Sequence, residues 1–333
     1  MKKMYFILIL SIFTSILAAC SEESSKTSTS TKENGEKDKI LVTEAFHTLL
    51  YLPLYVGEEE GIFEKNNIDI TNIRSAGTGP TALASVLAGE AQFSFHGPEH
   101  VGFAQEKGGA AKAVSAVANS APVWMLANKD VKFESPQDLK GKKVIVCLAP
   151  GTSNTLFKRL LKDNDLDYKK DVKVTEVQMG SELGPVLANE ADIAVVYQPQ
   201  ADQGIAEGLN IIYDFTKDYP EFAFSTANTS QQLIDENPDL VKRFVQSMDE
   251  SLKLMHENPD VAKEVAKKEF PELKEEVINT AIQRMIDSNV FPENAEVTEA
   301  AFKEAIDMQK FVGNIKKDMK YSDIVDSEFV PSK

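Results

Sequence analysis

An α/β fold built from two similar lobes is what this sequence predicts, and three observations carry the prediction. Short apolar runs alternate with amphipathic segments from residue 40 to residue 213, the pattern of a parallel sheet covered by helices. The segment Val86-Leu87-Ala88-Gly89-Glu90-Ala91-Gln92-Phe93 is echoed by Val186-Leu187-Ala188-Asn189-Glu190-Ala191-Asp192-Ile193. Each copy follows a Gly-containing turn and feeds a short strand that ends in a proline-containing loop. Ala/Leu-rich helices can echo one another by chance, but the shared context on both sides favours a repeated strand–helix–strand unit. From about residue 230 the pattern shifts to long amphipathic helices, which reads as a helical cover rather than a third domain.

The elements follow in order. Ile40-Leu41-Val42 opens as a strand, and residues 53–60 read as a helix stopped by Gly61. Ile68-Asp69-Ile70 is strand-like, residues 81–88 form a helix ended by Gly89, and 93–95 form a short strand. A helix from 98 to about 107 and strands at 113–117 and 123–127 complete the first set. The second set repeats the logic, with strands at 143–148, 172–177, 193–196 and 209–213 and helices at 152–163, 182–189 and 199–207. Helices at 239–257, 259–269, 272–289 and 298–312 carry apolar residues at helical spacing.

The first twenty residues bound where the protein works. Lys2 and Lys3 precede a mostly apolar run, 4–17, that ends Leu17-Ala18-Ala19-Cys20. A membrane span needs ~20 apolar residues. This run is shorter and stops at small residues, as a secretory signal does. It resembles a bacterial lipoprotein signal, which implies lipidation of Cys20 and an extracytoplasmic protein tethered to the cell membrane. Residues 1–19 are then signal and 20–39, rich in Ser, Thr, Lys and Glu without a large apolar side chain, a solvated spacer. Without Lys2 and Lys3 the chain keeps 34 basic against 52 acidic residues, a formal charge of −18. That balance disfavours nucleic acid and anionic lipid as partners. With Cys20 lipidated, Cys147 has no partner, so no disulfide is expected. Its apolar run, Val144-Ile145-Val146-Cys147-Leu148, reads as a small buried hydrophobe rather than a reactive thiol.

No motif supports catalysis or a resident cofactor or metal. His96-Gly97-Pro98-Glu99-His100 matches the H-x-x-E-H pattern of inverted zinc proteases. That chemistry needs both histidines on one face of a continuous helix. Pro98 is tolerated only in a first helical turn, so His96 belongs to the preceding strand end and Glu99 to the first turn of a helix. Ala76-Gly77-Thr78-Gly79-Pro80-Thr81 and Pro150-Gly151-Thr152-Ser153-Asn154-Thr155 are two further strand-to-helix loops. Such loops present N–H groups and hydroxyls to a ligand oxygen. Helix capping alone also accounts for their Thr and Ser, and the two roles are compatible. Neither loop is a Walker A motif or a nucleophile elbow. Among the aromatics Phe46, Tyr51, Tyr55, Trp124 and Tyr197, core is the default reading and Trp124 reads as core or hinge, while Tyr51 and Tyr197, which follow strand ends, are also placed to flank a planar ligand.

Residues 52–65, with Leu54-Tyr55-Val56-Gly57-Glu58-Glu59-Glu60-Gly61-Ile62-Phe63, resemble the first helix of the thiamine-precursor and alkanesulfonate type of solute-binding proteins. Residues 77–91 resemble the second helix of that family. Ser135-Pro136-Gln137-Asp138-Leu139-Lys140-Gly141-Lys142-Lys143-Val144 resembles its entry to the second lobe, and Ala194-Val195-Val196-Tyr197-Gln198-Pro199 its exit. The resemblance implies a type II periplasmic-binding-protein fold, with lobe 1 from 40–126 plus 226–333 and lobe 2 from 127–225. It implies a monomer that hands a small-molecule solute to ABC permease subunits. The family's ligand loops map onto His47 and Tyr51, Gly77, Thr78 and Gly79, His96 and Glu99, Thr152, Ser153 and Asn154, and Tyr197 and Gln198. These loops offer a carboxylate, imidazoles, amides and aromatics but no Arg or Lys. That suits a polar planar ligand with N–H donors, such as a thiamine-precursor aminopyrimidine. The alternatives are a sulfonate, taurine or nitrate binder, a lipid-anchored sensor, and an enzyme like the fungal pyrimidine synthases, whose cysteine-rich motif this chain lacks.

Overall fold

The computed structural model describes residues 37–149 and 151–332. The signal segment, Cys20 and most of the spacer lie outside the described residues. Among the described residues, ten strands form two five-stranded sheets. The first holds β1 (Asp38–Glu44), β2 (Ile68–Ser75), β3 (Phe93–His96) and β4 (Ala111–Ala118). The second holds β5 (Trp124–Ala127), β6 (Lys143–Cys147), β7 (Lys173–Val177), β8 (Ile193–Val196) and β9 (Asn210–Asp214). The last strand, β10 (Ser225–Ser230), returns to the first sheet. The orders are β2-β1-β3-β10-β4 and β7-β6-β8-β5-β9, the same plan twice.

Three expectations need correction. The sheets are mixed rather than parallel, because β10 runs antiparallel to β3 and β4, and β5 antiparallel to β8 and β9. β5 therefore belongs to the second sheet and not to the first lobe, which the expected boundary at 126 would have given it: the crossover lies between Ala118 and Trp124, with the positive-φ Ser120 two residues past the end of β4. The first strand also begins at Asp38, two residues inside the expected spacer. β10 itself has no apolar run. Its buried Thr226, Asn228 and Thr229 are satisfied by hydrogen bonds, Thr226 Oγ1 donating to His96 O at 3.1 Å, Asn228 Nδ2 to Ser94 O at 3.1 Å and Thr229 Oγ1 to Gln92 O at 2.7 Å.

The internal echo is a structural repeat. Residues 81–100 and 181–200 alternate between buried and exposed in the same order, position by position at an offset of 100. Glu90 N donates to Ser85 O and Glu190 N to Pro185 O, both at 2.9 Å. Gln92 Oε1 accepts from Leu41 N at 2.8 Å, and Asp192 Oδ2 accepts from Lys143 N at 2.7 Å. Gly89 (φ 75°) and Asn189 (φ 57°) each end a helix in the left-handed region, where Gly and Asn are the residues best tolerated.

The tail does more than cover one lobe. One continuous hydrophobic cluster contains Phe93 of the first sheet, Trp124 and Val196 of the second, and Phe244 and Ile282 of the tail helices Pro238–Glu257 and Glu275–Asp287. Phe93 and Phe244 stack at 3.6 Å between ring centroids. Trp124, the only tryptophan, is fully buried where the chain first enters the second sheet.

Candidate functional site

A cavity of about 810 Å³ opens where the parallel strands of both sheets end at their carboxyl termini. Loops at that end of an α/β sheet are free of the hydrogen-bond ladder, so their backbone and side chains can turn toward a ligand. The first sheet supplies loops after β1, β2 and β3, and the second the corresponding loops after β6, β7 and β8. Ten of the twelve expected binding residues line it: His47, Tyr51, Gly77, Thr78, Gly79, His96, Glu99, Thr152, Tyr197 and Gln198.

Ser153 and Asn154 do not. Both turn inward and brace β6, Ser153 Oγ donating to Cys147 Sγ at 3.0 Å and Asn154 Nδ2 to Cys147 O at 2.8 Å. The Ser153 backbone N–H, expected to be free for a ligand at this helix start, donates instead to the Tyr197 hydroxyl at 2.7 Å. Thr78 shows that capping and lining coexist, since its Oγ1 accepts from Thr81 N at 3.2 Å while the residue faces the cavity.

The first wall is the titratable one. His96 ends β3 and is buried; Ser94 Oγ lies 2.9 Å from its Nε2 and Gly97 O lies 3.0 Å from its Nδ1. Burial pulls its pKa down to about 3, so the ring is neutral. With Nδ1–H donating to the Gly97 carbonyl, Nε2 is left to accept from Ser94. Glu99 opens the next helix, as expected, and folds back over Gly97, where an added Cβ would fall 2.1 Å from Oε2. His100 Nε2 stands 3.9 Å from Glu99 Oε1, and its buried Nδ1 has no partner. The His100 ring fits because residue 79 is glycine: a Cβ there would meet it at 2.5 Å. The two histidines of the H-x-x-E-H pattern sit on different elements, yet their rings meet edge to face at 5.3 Å.

His47 forms the rim. Its ring stacks on Phe270 at 4.5 Å and its Nδ1 lies 3.2 Å from Glu44 Oε1. The hydrogen bond to Glu44, above all, raises its pKa. Glu44 is buried and also accepts from the Tyr55 hydroxyl, whose pKa burial raises strongly.

The second wall is neutral. Tyr197 and Gln198 are buried, and desolvation lifts the Tyr197 phenol far above its ordinary range. Cys147 also lines the cavity, and burial pushes its thiol up, against thiolate formation. Leu148 and Met179, two of the few exposed large hydrophobics, form the lip on this side. No Lys or Arg is among the described residues lining the cavity.

Several lining residues escaped the sequence reading. His100 stands one residue beyond the 96–99 loop that the resemblance maps to the ligand, and so fell outside it. Gln309 and Asn314, joined by an Asn314 Nδ2 to Gln309 Oε1 hydrogen bond of 2.8 Å, come from the tail and carry no local signal. Glu182, which does not itself line the cavity, is fully buried next to the lining Gly180, from whose N–H it accepts at 2.8 Å, and its carboxyl is held above its ordinary range by desolvation.

Comparisons with known proteins agree with this architecture. The chain is 21% identical over 236 residues to "Putative binding protein YtlA" of Bacillus subtilis (strain 168), spanning 70% of this chain and 67% of that protein. Its fold is similar to the periplasmic aliphatic sulphonate binding protein SsuA from Escherichia coli, with a TM-score of 0.69 at 16% identity over 84% of this chain and 93% of that one. It is also similar to the ligand-binding component of an ABC-type import system from Staphylococcus aureus solved with zinc bound, with a TM-score of 0.70 at 12% identity over 88% and 98%. These likenesses establish the two-lobed type II binding-protein fold. The NMT1/THI5-like family model matches residues 50–262, most of the two-sheet body. The chain belongs to the NMT1/THI5-like family.

Proposed function

We propose that this protein is an extracytoplasmic solute-binding lipoprotein, anchored through Cys20, that delivers a small organic ligand to an ABC importer. The ligand we favour is neutral or cationic, planar and rich in N–H donors, as an aminopyrimidine thiamine precursor is. One observation carries the ligand class: a cavity between two matched walls holds the Glu99 carboxylate and several aromatic rings without a lining Lys or Arg. A carboxylate accepts hydrogen bonds only, so it rewards N–H donors and repels an anion. The sulfonate chemistry of the SsuA neighbour is disfavoured on the same ground, because among the described residues no Lys or Arg lines the cavity and His47, whose pKa is raised, is already paired with Glu44.

Binding rather than catalysis is supported by the state of Cys147. It is the one described cysteine, its thiol is buried, its Sγ accepts from Ser153, and its pKa is raised. A nucleophilic thiol needs the opposite shift. Titration calorimetry with an aminopyrimidine thiamine precursor and with an alkanesulfonate tests the reading. The expected outcome is precursor binding weakened at least tenfold by Glu99→Ala. Tight sulfonate binding indifferent to Glu99→Ala would sink it. Native mass spectrometry of freshly purified protein gives an independent view, since a retained ligand reports its own mass.

A further inference from the structure

Gln198 lines the cavity, and both ends of its side-chain amide are held by a residue outside it. Its Nε2 donates to Asp202 Oδ2 at 2.5 Å, and its Oε1 accepts from the Asp202 backbone N–H at 3.3 Å. Asp202 is 2% exposed. A carboxylate this deep needs a charged partner, and Arg284 supplies one in two-pronged form, Nε to Oδ2 at 2.8 Å and Nη2 to Oδ1 at 3.0 Å. Arg284 lies on the tail helix Glu275–Asp287, eighty-two residues away in sequence.

We propose that Asp202, held by Arg284, is a positioning residue that locks the Gln198 amide in one of its two flips. A glutamine amide is nearly symmetric in shape, and only its neighbours decide which end is N–H₂. An ionised carboxylate cannot donate, so it forces the N–H₂ end toward itself. After both contacts to Asp202, the amide keeps one N–H and one carbonyl lone pair. Because Asp202 takes the paired end of the amide with its own carboxylate and N–H, these two diverge on its outer sides, a fixed single donor and a fixed single acceptor whose placement the flip decides. That consequence for selectivity rests on the cavity being the ligand site. The amide's orientation does not, so the test uses ligand-free protein.

The measurement is nuclear magnetic resonance of the Gln198 side-chain ¹⁵N–¹H₂ group, assigned by its loss in Gln198→Glu. In the native protein we expect a rigid group, with an order parameter above about 0.8, and one proton shifted downfield by the carboxylate. In Asp202→Ala, Gln198 Nε2 loses its acceptor, and Arg284, whose Nε shared that oxygen, is left as a donor beside the amide. The glutamine then flips or is freed, losing the downfield proton and dropping below about 0.6. Arg284→Met should loosen the group and Arg284→Lys, which keeps the charge without the fork, should restore part of the order. Gln198 signals that stay as rigid and as far downfield in a folded Asp202→Ala variant overturn the proposal. If that variant does not fold, the Arg284 pair decides: identical Gln198 signals in Met and Lys variants also overturn it. A failed ligand screen with these signatures intact would count against the proposed ligand and leave the positioning role standing.

Discussion

The two corners at 96–102 and 196–202 share a backbone plan and differ in nearly every functional side chain. His96, Gly97, Glu99 and His100 on the first wall correspond by the repeat to Val196, Tyr197, Pro199 and Gln200 on the second. One wall therefore offers charge and imidazole, the other a phenol and amides. The difference extends to how each corner meets the tail. At Gly102 the missing side chain lets Met319 approach, since a Cβ there would fall 2.3 Å from its sulfur; at the equivalent Asp202 the tail is held by the Arg284 ion pair. A repeated scaffold can thus separate two kinds of chemistry across one cavity while anchoring both to a common third element.

The sharpest way to break this comparison is Asp202→Ala, which strands Arg284 and unties Gln198. Loss of one partner of a buried pair costs about 3–5 kcal/mol, so urea unfolding should show a strongly lowered midpoint, whereas an unchanged midpoint would mean the seam does not depend on the pair. Next in size is the response to acid. The native His96 titrates near pH 3 against about 6.5 in the unfolded chain, so the unfolded state takes up the proton first. Stability should be full above about pH 6.5 and fall through the window from 6.5 to 3, by about 2 kcal/mol at pH 5. Denaturation at pH 7.5 and pH 5 in the native protein and in His96→Asn tests it, because the variant should lose much of that acid sensitivity. The smallest effect is expected from Gly102→Ala. The atoms met are the flexible end of Met319, so the tail can give way at a cost of about 1 kcal/mol. A loss as large as that of Asp202→Ala would show that the two corners are anchored with equal strength.

Much of the fold was legible because its punctuation is local. Gly61, Gly89 and Pro98 stop or start helices by their own backbone preferences, and the apolar strands after them could be read directly. The loops at strand ends followed from that, and so did most of the cavity lining. β10 was invisible for a physical reason: Ser225-Thr226-Ala227-Asn228-Thr229-Ser230 is largely buried without being apolar, and hydrogen bonds satisfy the side chains of Thr226, Asn228 and Thr229. The direction of β5 was hidden too, since an apolar run says nothing about which sheet or neighbour it joins. Ser153 and Asn154 were misplaced because one helical turn decides between facing the cavity and bracing Cys147. The Asp202–Arg284 pair joins residues far apart in sequence, and nothing local to either predicts the other.

The exchange of strands between the sheets has a consequence for how the chain comes to be folded. β5 enters the second sheet directly after β4 leaves the first, and β10 closes the first sheet only after the second is complete. A fragment ending near residue 127 would therefore carry β1 to β4 with a gap between β3 and β4, and an unmatched β5. During synthesis the first sheet must wait for residue 230 before its ladder is continuous. Such distant pairings are slow to form because the loop entropy is lost before the contacts repay it. The two lobes thus mature as one interdependent unit, and neither half is a module that could be cut out, swapped or grafted by severing the chain once.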